Sequence, residues 1–381
     1  MVHAKLELVS IAAWVMALSS VSQEAAAAPG KSGPILLVVP TDSPTIQSAV
    51  DAVRSGGMVL VLAGTYTEQV TIDKDLDLIG AGMDSTIIRA PATLVPGPLG
   101  SPAIVEILDE AVVSISSLTI SGPGAAACGD PNVLRWGVRV HPGSHLDLGH
   151  SAVRDIHNTP MAMCPRSGTA ISVGSSTPGS LPASLVIHDS EVTRFQSVGI
   201  IVLGAGSWAD IAHNTVAGPG HAGGVPTTGI ELVAGAVGTV VHNTVTGNVC
   251  PAGMQEVCGE DFFTQIQEAG ISAGGNGPGT VISHNLLRGN QIGLFLSECD
   301  EIAHNVLVDN EYFGLALVGV GDGEFTIEGA EIIGGGGGLW VTAVLVDMTV
   351  VLNKVSFAGL SGPPVEILED GGFTGTVIEK P

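Results

Sequence analysis

Ile211-Ala-His-Asn-Thr-Val216 returns as Val240-Val-His-Asn-Thr-Val245, Ile282-Ser-His-Asn-Leu-Leu287 and Ile302-Ala-His-Asn-Val-Leu307. Looser copies stand at Ile115–Ile120, Leu148–Val153, Ile187–Val192, Ile327–Ile332 and Leu352–Phe357. The shortest steps between copies set a unit of 20 to 25 residues. Each unit carries a second stretch of the form Gly-Ile-x-Leu: Gly137–Val140, Gly199–Val202, Gly229–Leu232, Gly270–Ala273, Gly293–Leu296, Gly314–Leu317 and Gly338–Val341. Both stretches alternate with period two, are rich in branched aliphatics and are bounded by Gly and Asn, the pattern of short strands. So short a unit, with two or three strands and no helical pattern between them, cannot be a βα unit. It is one coil of a parallel β-helix, an all-β solenoid in which each strand pairs with its copies about 4.8 Å above and below.

The composition follows from that geometry. The chain has 381 residues, 45% of them apolar, with 53 Gly but only 8 Phe, 4 Trp and 2 Tyr. This much apolar residue excludes disorder, and there is no Gly-X-Y period to suggest collagen. A narrow stacked tube suits Val, Ile, Leu and Ala, and its frequent turns suit Gly, whose positive φ is free of strain. Asn also tolerates left-handed backbone, so Asn214, Asn243, Asn285 and Asn305 are expected to take the turn and to bond one another as an internal ladder. A net charge of −24 argues against a nucleic-acid partner, whose phosphates need Lys and Arg.

At the N-terminus, Lys5, the apolar stretch Leu8–Val21 and Ala25–Ala28 read as a secretory leader over residues 1–28, and 29–40 as a linker and first strand. The solenoid domain then covers 41–381. No later run is apolar enough to span a membrane, so a secreted, periplasmic or cell-surface location is expected, and a monomer. In such a compartment five cysteines suggest two bridges, Cys128–Cys164 and Cys250–Cys258, leaving Cys299. Ser43 as N-cap, Pro44 at the first helical position and a face of Ile46, Ala49, Val50 and Val53, stopped by Gly56-Gly57, predict a helix at about 44–55 that caps the open end of the tube. Strands are expected at Val59–Leu62 and Val70–Leu78.

Thr45-Ile-Gln-Ser-Ala-Val-Asp-Ala-Val53, Gly64-Thr-Tyr-Thr-Glu68 and Leu76-Asp-Leu-Ile-Gly-Ala-Gly82 resemble the opening coils of the right-handed parallel β-helix, or pectin-lyase-like, superfamily, and the His-Asn units resemble its degenerate repeats. The resemblance covers about residues 40–370 and implies a single-stranded right-handed β-helix. It implies no one activity, because the superfamily holds lyases, hydrolases, esterases, epimerases, adhesins and copper-handling periplasmic proteins. The Gly-His-Gly signature of polygalacturonase-like members is absent, since His221 lies in Gly220-His-Ala-Gly223. Asp261-Phe-Phe-Thr264 is not the pectinesterase-like stretch either.

Four long insertions, Gly122–Arg135, Arg154–Gly168, Gly218–Thr228 and Gly247–Ala269, all follow the Asn strand, so they emerge at one corner and wall one face. The outward row beside them is expected to run Arg139, Ser172, Ile201, Glu231, Ser272, Phe295, Ala316 and Trp340. Glycoside hydrolysis needs two carboxyl groups; Glu231 is one, and Asp130, Asp155, Glu256, Glu260, Asp261 and Glu268 are the loop acids that could add another. A β-eliminating lyase would use Arg139, Arg135 or Arg166 with a base and calcium. Phe295 and Trp340 are candidate sugar-stacking rings. His213, His242, His284 and His304 form a column that could share copper or zinc, or serve only as stacked turn residues. The leading expectation is an exported protein that binds, and in the stronger form cleaves, extracellular polysaccharide. The rivals are a non-catalytic surface or adhesive solenoid and a copper-handling one.

Overall fold

The computed structural model describes residues 33–381 except 98–99, 101, 160, 162–166, 255–257, 259–267, 276–278, 298, 320–322, 344 and 370. The expected leader lies outside the described residues. Those described belong to one compact unit, Gly33–Pro381.

Three parallel sheets run the length of a β-helix: a first of 13 strands, from Leu36–Val39 to Gly375–Lys380, and two of 11. The second sheet runs from Val70–Ile72 to Val365–Glu369, and the third from Gly64–Thr67 to Ser356–Ala358. One coil shows the route: Trp208–Ala212 in the first sheet, Thr215–Ala217 in the third, Thr228–Val233 in the second. Each pairs in parallel with its copy in the next coil. The repeated hexapeptide is therefore two strands in different sheets, bent at its His-Asn centre.

That bend corrects the expected division of labour. The left-handed residue is the histidine, with φ of 60° at His213, 57° at His242, 58° at His284 and 54° at His304, and not the asparagine. With the turn made one residue earlier, each Asn side chain points into the tube, where Asn214, Asn243, Asn285 and Asn305 are all buried. There the ladder forms as expected. The side-chain oxygen of Asn243 accepts from the Asn214 backbone N–H at 2.9 Å, and Asn285 and Asn305 repeat this one coil on, at 2.9 and 3.0 Å. A second ladder stands five residues later, at the next corner. Asn248 donates its amide to Asn290 at 2.9 Å, and Asn290 to Asn310 at 3.2 Å.

Aliphatic columns fill the tube, among them Ile211, Val240, Ile282, Ile302, Ile327 and Leu352, none more than 3% exposed. Each such burial contributes about 1.5–3 kcal/mol. The glycine that opens each Gly-Ile-x-Leu strand serves packing, not a turn. A Cβ on Gly199, Gly229 or Gly293 would run into the carbonyl of the glycine one coil on.

The capping helix, α1, spans Ile46–Ala52, and Ile46, Ala49 and Val50 are its buried residues. Its N-cap is Thr45 in a capping box with Ser48, two residues later than the Ser43 cap read from sequence. Glu68 completes the start by accepting from the Ile46 and Gln47 N–H groups at 3.0 and 2.9 Å. The helix ends before Gly56-Gly57, and Gly57 already opens the strand Gly57–Val61. The expected strand Val70–Leu78 is divided between Val70–Ile72 in the second sheet and Leu76–Gly80 in the first. No helix among the described residues is long and apolar enough to cross a membrane.

Candidate functional site

The second sheet carries the expected outward row in unbroken register: Arg139 against Ser172, then Ile201, Glu231, Ser272, Phe295, Ala316 and Trp340. Glu106 extends it at one end and Glu366 at the other. The insertions do emerge where the third sheet passes to the second. Residues 90–102, between the strands Thr86–Arg89 and Ala103–Ile107, form a fifth such connection that the repeat spacing did not single out.

The two halves of the row differ. In the N-terminal half Glu106 is 3% exposed and Arg139 9%, so this stretch is sealed. His141 Nε2 lies 2.6 Å from Glu106 Oε1, and Arg139 donates to Ser172 Oγ at 2.8 Å and to the Gly174 carbonyl at 2.6 Å. Its guanidinium also lies 5.1 Å from the Trp136 ring centre. Burial lowers the Arg139 pKa to about 10, against the opposing pull of Glu106. These contacts bind coils together. Arg135 is half-buried, with its guanidinium 5.8 Å from the same ring centre.

Asp130 and Asp155, two of the loop acids expected to partner Glu231, are held by contacts of their own. Asp130 is exposed and accepts from the Asn132 N–H at 2.8 Å, a local turn. Asp155 is a left-handed corner residue held by a two-pronged ion pair from Arg194, at 2.5 and 2.8 Å, which keeps its carboxyl below the usual range. Arg166, Glu256, Glu260, Asp261 and Cys164 lie outside the described residues. Cys128 is disulfide-bonded, Cys250 is bridged to Cys258, and Cys299 is a free thiol pushed up to about 12 by burial.

The C-terminal half is chemically distinct. Ala269, Ile292 and Ala316 form an apolar cluster outside the tube, and Phe295, Tyr312 and Trp340 pack half-buried against it. Phe295, Ala316 and Trp340 are consecutive in register, so the two rings stand two coils apart, about 10 Å. Trp340 is fixed by its indole N–H, which donates to Thr342 Oγ1 at 2.6 Å, and by the edge of Phe313 at 4.8 Å.

Beside this platform, Thr227, Glu268 and Gln291 each stand just before a second-sheet strand in successive coils. All three are buried, and Thr227 Oγ1, Glu268 Oε1 and both Gln291 side-chain polar atoms have no hydrogen-bond partner among the described residues. Burial, reinforced by the Glu231 charge and opposed by a hydrogen bond to Thr228, raises the Glu268 pKa to about 8. Burial also raises that of Glu231. Glu268 thus favours its protonated form at neutral pH, within reach of the Glu231 charge. Sequence reasoning had it only as one of six loop acids, because nothing in its neighbours announces burial. His221 ties its loop to its neighbours, with Nδ1 2.9 Å from the Cys250 carbonyl and Nε2 2.7 Å from Glu311.

At the corner between the first and third sheets, the rings of His213, His242, His284 and His304 form an outer column with centres 5.0, 4.9 and 4.9 Å apart, the first pair stacked and the next two tilted.

Residues 170–355 match the family model described as "Right handed beta helix region". No curated protein matches the chain. Among solved structures, the Agl-KA catalytic domain is similar at a TM-score of 0.56 and 15% identity, over 87% of this chain and 64% of that one. The Dettilon tailspike protein is similar at 0.51 and 13%, over 91% and 68%. The A-module of an Azotobacter vinelandii mannuronan C-5 epimerase aligns at 0.49 and 16%, over 88% and 94%. The chain therefore spans just under two thirds of the Agl-KA domain, and identities this low speak to the fold alone.

Proposed function

The chain is a right-handed parallel β-helix protein, and we propose that it is an exported protein whose second sheet binds a neutral polysaccharide along Glu231, Ser272, Phe295 and Trp340 and hydrolyses it with Glu268 as proton donor. The observation that carries the reading is the pairing, on one face, of a ring platform with a buried neutral carboxyl beside a second one. Flat rings stack on the apolar faces of sugars. A carboxyl that keeps its proton at neutral pH can protonate a leaving glycosidic oxygen while a second carboxyl assists the attack. A net charge of −24 and two acids on this face disfavour a polyuronate. Arg139 is engaged with Ser172 and the Gly174 carbonyl, which leaves Arg135 and Arg166 as the cations of a lyase reading.

Isothermal titration with soluble oligosaccharides tests the face directly. Phe295→Ala and Trp340→Ala are each expected to weaken binding of a neutral oligosaccharide roughly 3- to 10-fold, and Asp130→Asn to leave it unchanged. Undiminished affinity in both ring variants would remove the platform from the account. Binding without any bond cleavage would leave the adhesive reading.

A further inference from the structure

The corner where the first sheet passes to the third holds a group of side chains that the glycan reading does not use. His150, His188 and Asp189 each offer a ligand atom, and these atoms all lie within 4.8 Å of one another. We propose that His150, His188 and Asp189 form a surface site for a divalent transition-metal ion of the zinc or copper kind.

The backbone builds the cluster. His150 and Asp189 are left-handed corner residues, with φ of 49° and 50°, in the slot that His213, His242, His284 and His304 fill in later coils. His188 stands one position earlier, at the end of the strand Ser184–His188, where its in-register neighbours are Gly149 and Ala212. Small neighbours leave room for the imidazole. A Cβ on Gly149 would come within 2.7 Å of the His188 ring, so the ring lies over that glycine. In the later coils the matching positions are Ala212, Val241, Ser283 and Ala303, none of them a ligand type.

The two nitrogens of His188 have different surroundings. Nδ1 faces Asp189 Oδ2 at 3.0 Å, and the His150 ring stands edge-on with its centre 5.4 Å away. On the far side, Nε2 faces Asp147 Oδ1 at 3.7 Å. An ion held by Nδ1, a His150 nitrogen and the Asp189 carboxylate would leave the Nε2 proton for Asp147. That is the carboxylate–histidine–metal relay that fixes ring orientation in metal sites. Two imidazoles and a carboxylate suit zinc or copper over magnesium or calcium, and exposure leaves the remaining positions to water.

The test uses tag-free, chelator-stripped protein titrated with zinc and with copper ions. Saturation at one ion per chain, with a dissociation constant below about 10 µM, is the expected result. Copper paramagnetic resonance should show coupling to imidazole nitrogens. His150→Asn and Asp189→Asn keep a residue that tolerates the left-handed corner, and together with His188→Gln each should weaken binding at least about 10-fold. Asp147→Asn, which supplies no ligand itself and acts only through His188, should cost roughly 10- to 100-fold. His242→Asn should change nothing. Thermal melts in chelator establish that each variant is folded, and Asp147→Asn keeps the test open should His188→Gln unfold. No saturable binding up to about 100 µM, or binding that survives His188→Gln and disappears with His242→Asn, would overturn the site.

Discussion

Asn285→Ala is expected to destabilise the protein by about 3–5 kcal/mol, read as a drop in the urea midpoint, whereas His284→Asn beside it should change stability by less than about 0.5 kcal/mol. The Asn285 side chain accepts from the Asn243 N–H at 2.9 Å and from its amide at 3.1 Å, and donates to the Val240 carbonyl at 2.8 Å and to Asn305 at 3.0 Å. Truncation leaves several buried donors and acceptors unmet, each costing about 1–3 kcal/mol. His284 contributes only a left-handed residue and an exposed ring, and Asn takes that conformation readily. Equal effects at the two positions would contradict the assignment of the ladder to Asn and the bend to His.

Glu268→Gln is expected to lower glycan hydrolysis by about 10²- to 10⁴-fold while leaving binding intact, because it removes a proton donor and keeps the shape. It should also change how stability depends on pH. In the folded protein Glu268 holds its proton up to about pH 8, against an ordinary value of 4.5. Between those values the folded state binds more protons than the unfolded one, so stability falls as pH rises and levels off above about 8. Denaturation midpoints should fall steadily across that window in the parent and far less in Glu268→Gln. Hydrolysis should fade through the same upper limit, as the acid form is lost. A flat parent profile would mean that Glu268 is charged in the fold.

Much of the architecture was legible because one short motif recurs with its side chains in fixed slots. The Gly-Ile-x-Leu stretches gave the outward row of the second sheet residue for residue, from Arg139 to Trp340. Asn248, Asn290 and Asn310 stand five residues after Asn243, Asn285 and Asn305, a constant offset that announces the second ladder. Ser43 and Thr45 are equally good caps by type, and only Ser48, three residues after Thr45, decides between them. Facing outward from a sheet says nothing about what lies over it, so the sealing of Arg139 and the burial of Glu268 were not readable from the repeat. His188 escaped because it stands one residue before the column slot that Asp189 fills. Its role emerges only from the small residues in register with it.

The central claim is hydrolysis of a neutral glycan on the second sheet. It is tested most directly by digesting a panel of neutral and uronic-acid polysaccharides, with and without chelator, and reading reducing ends and unsaturated products separately. The account predicts reducing ends from a neutral polysaccharide, undiminished by chelator, with no unsaturated product, and their loss in Glu268→Gln. Unsaturated uronate products that require calcium, or no release from any glycan that the face binds, would contradict it.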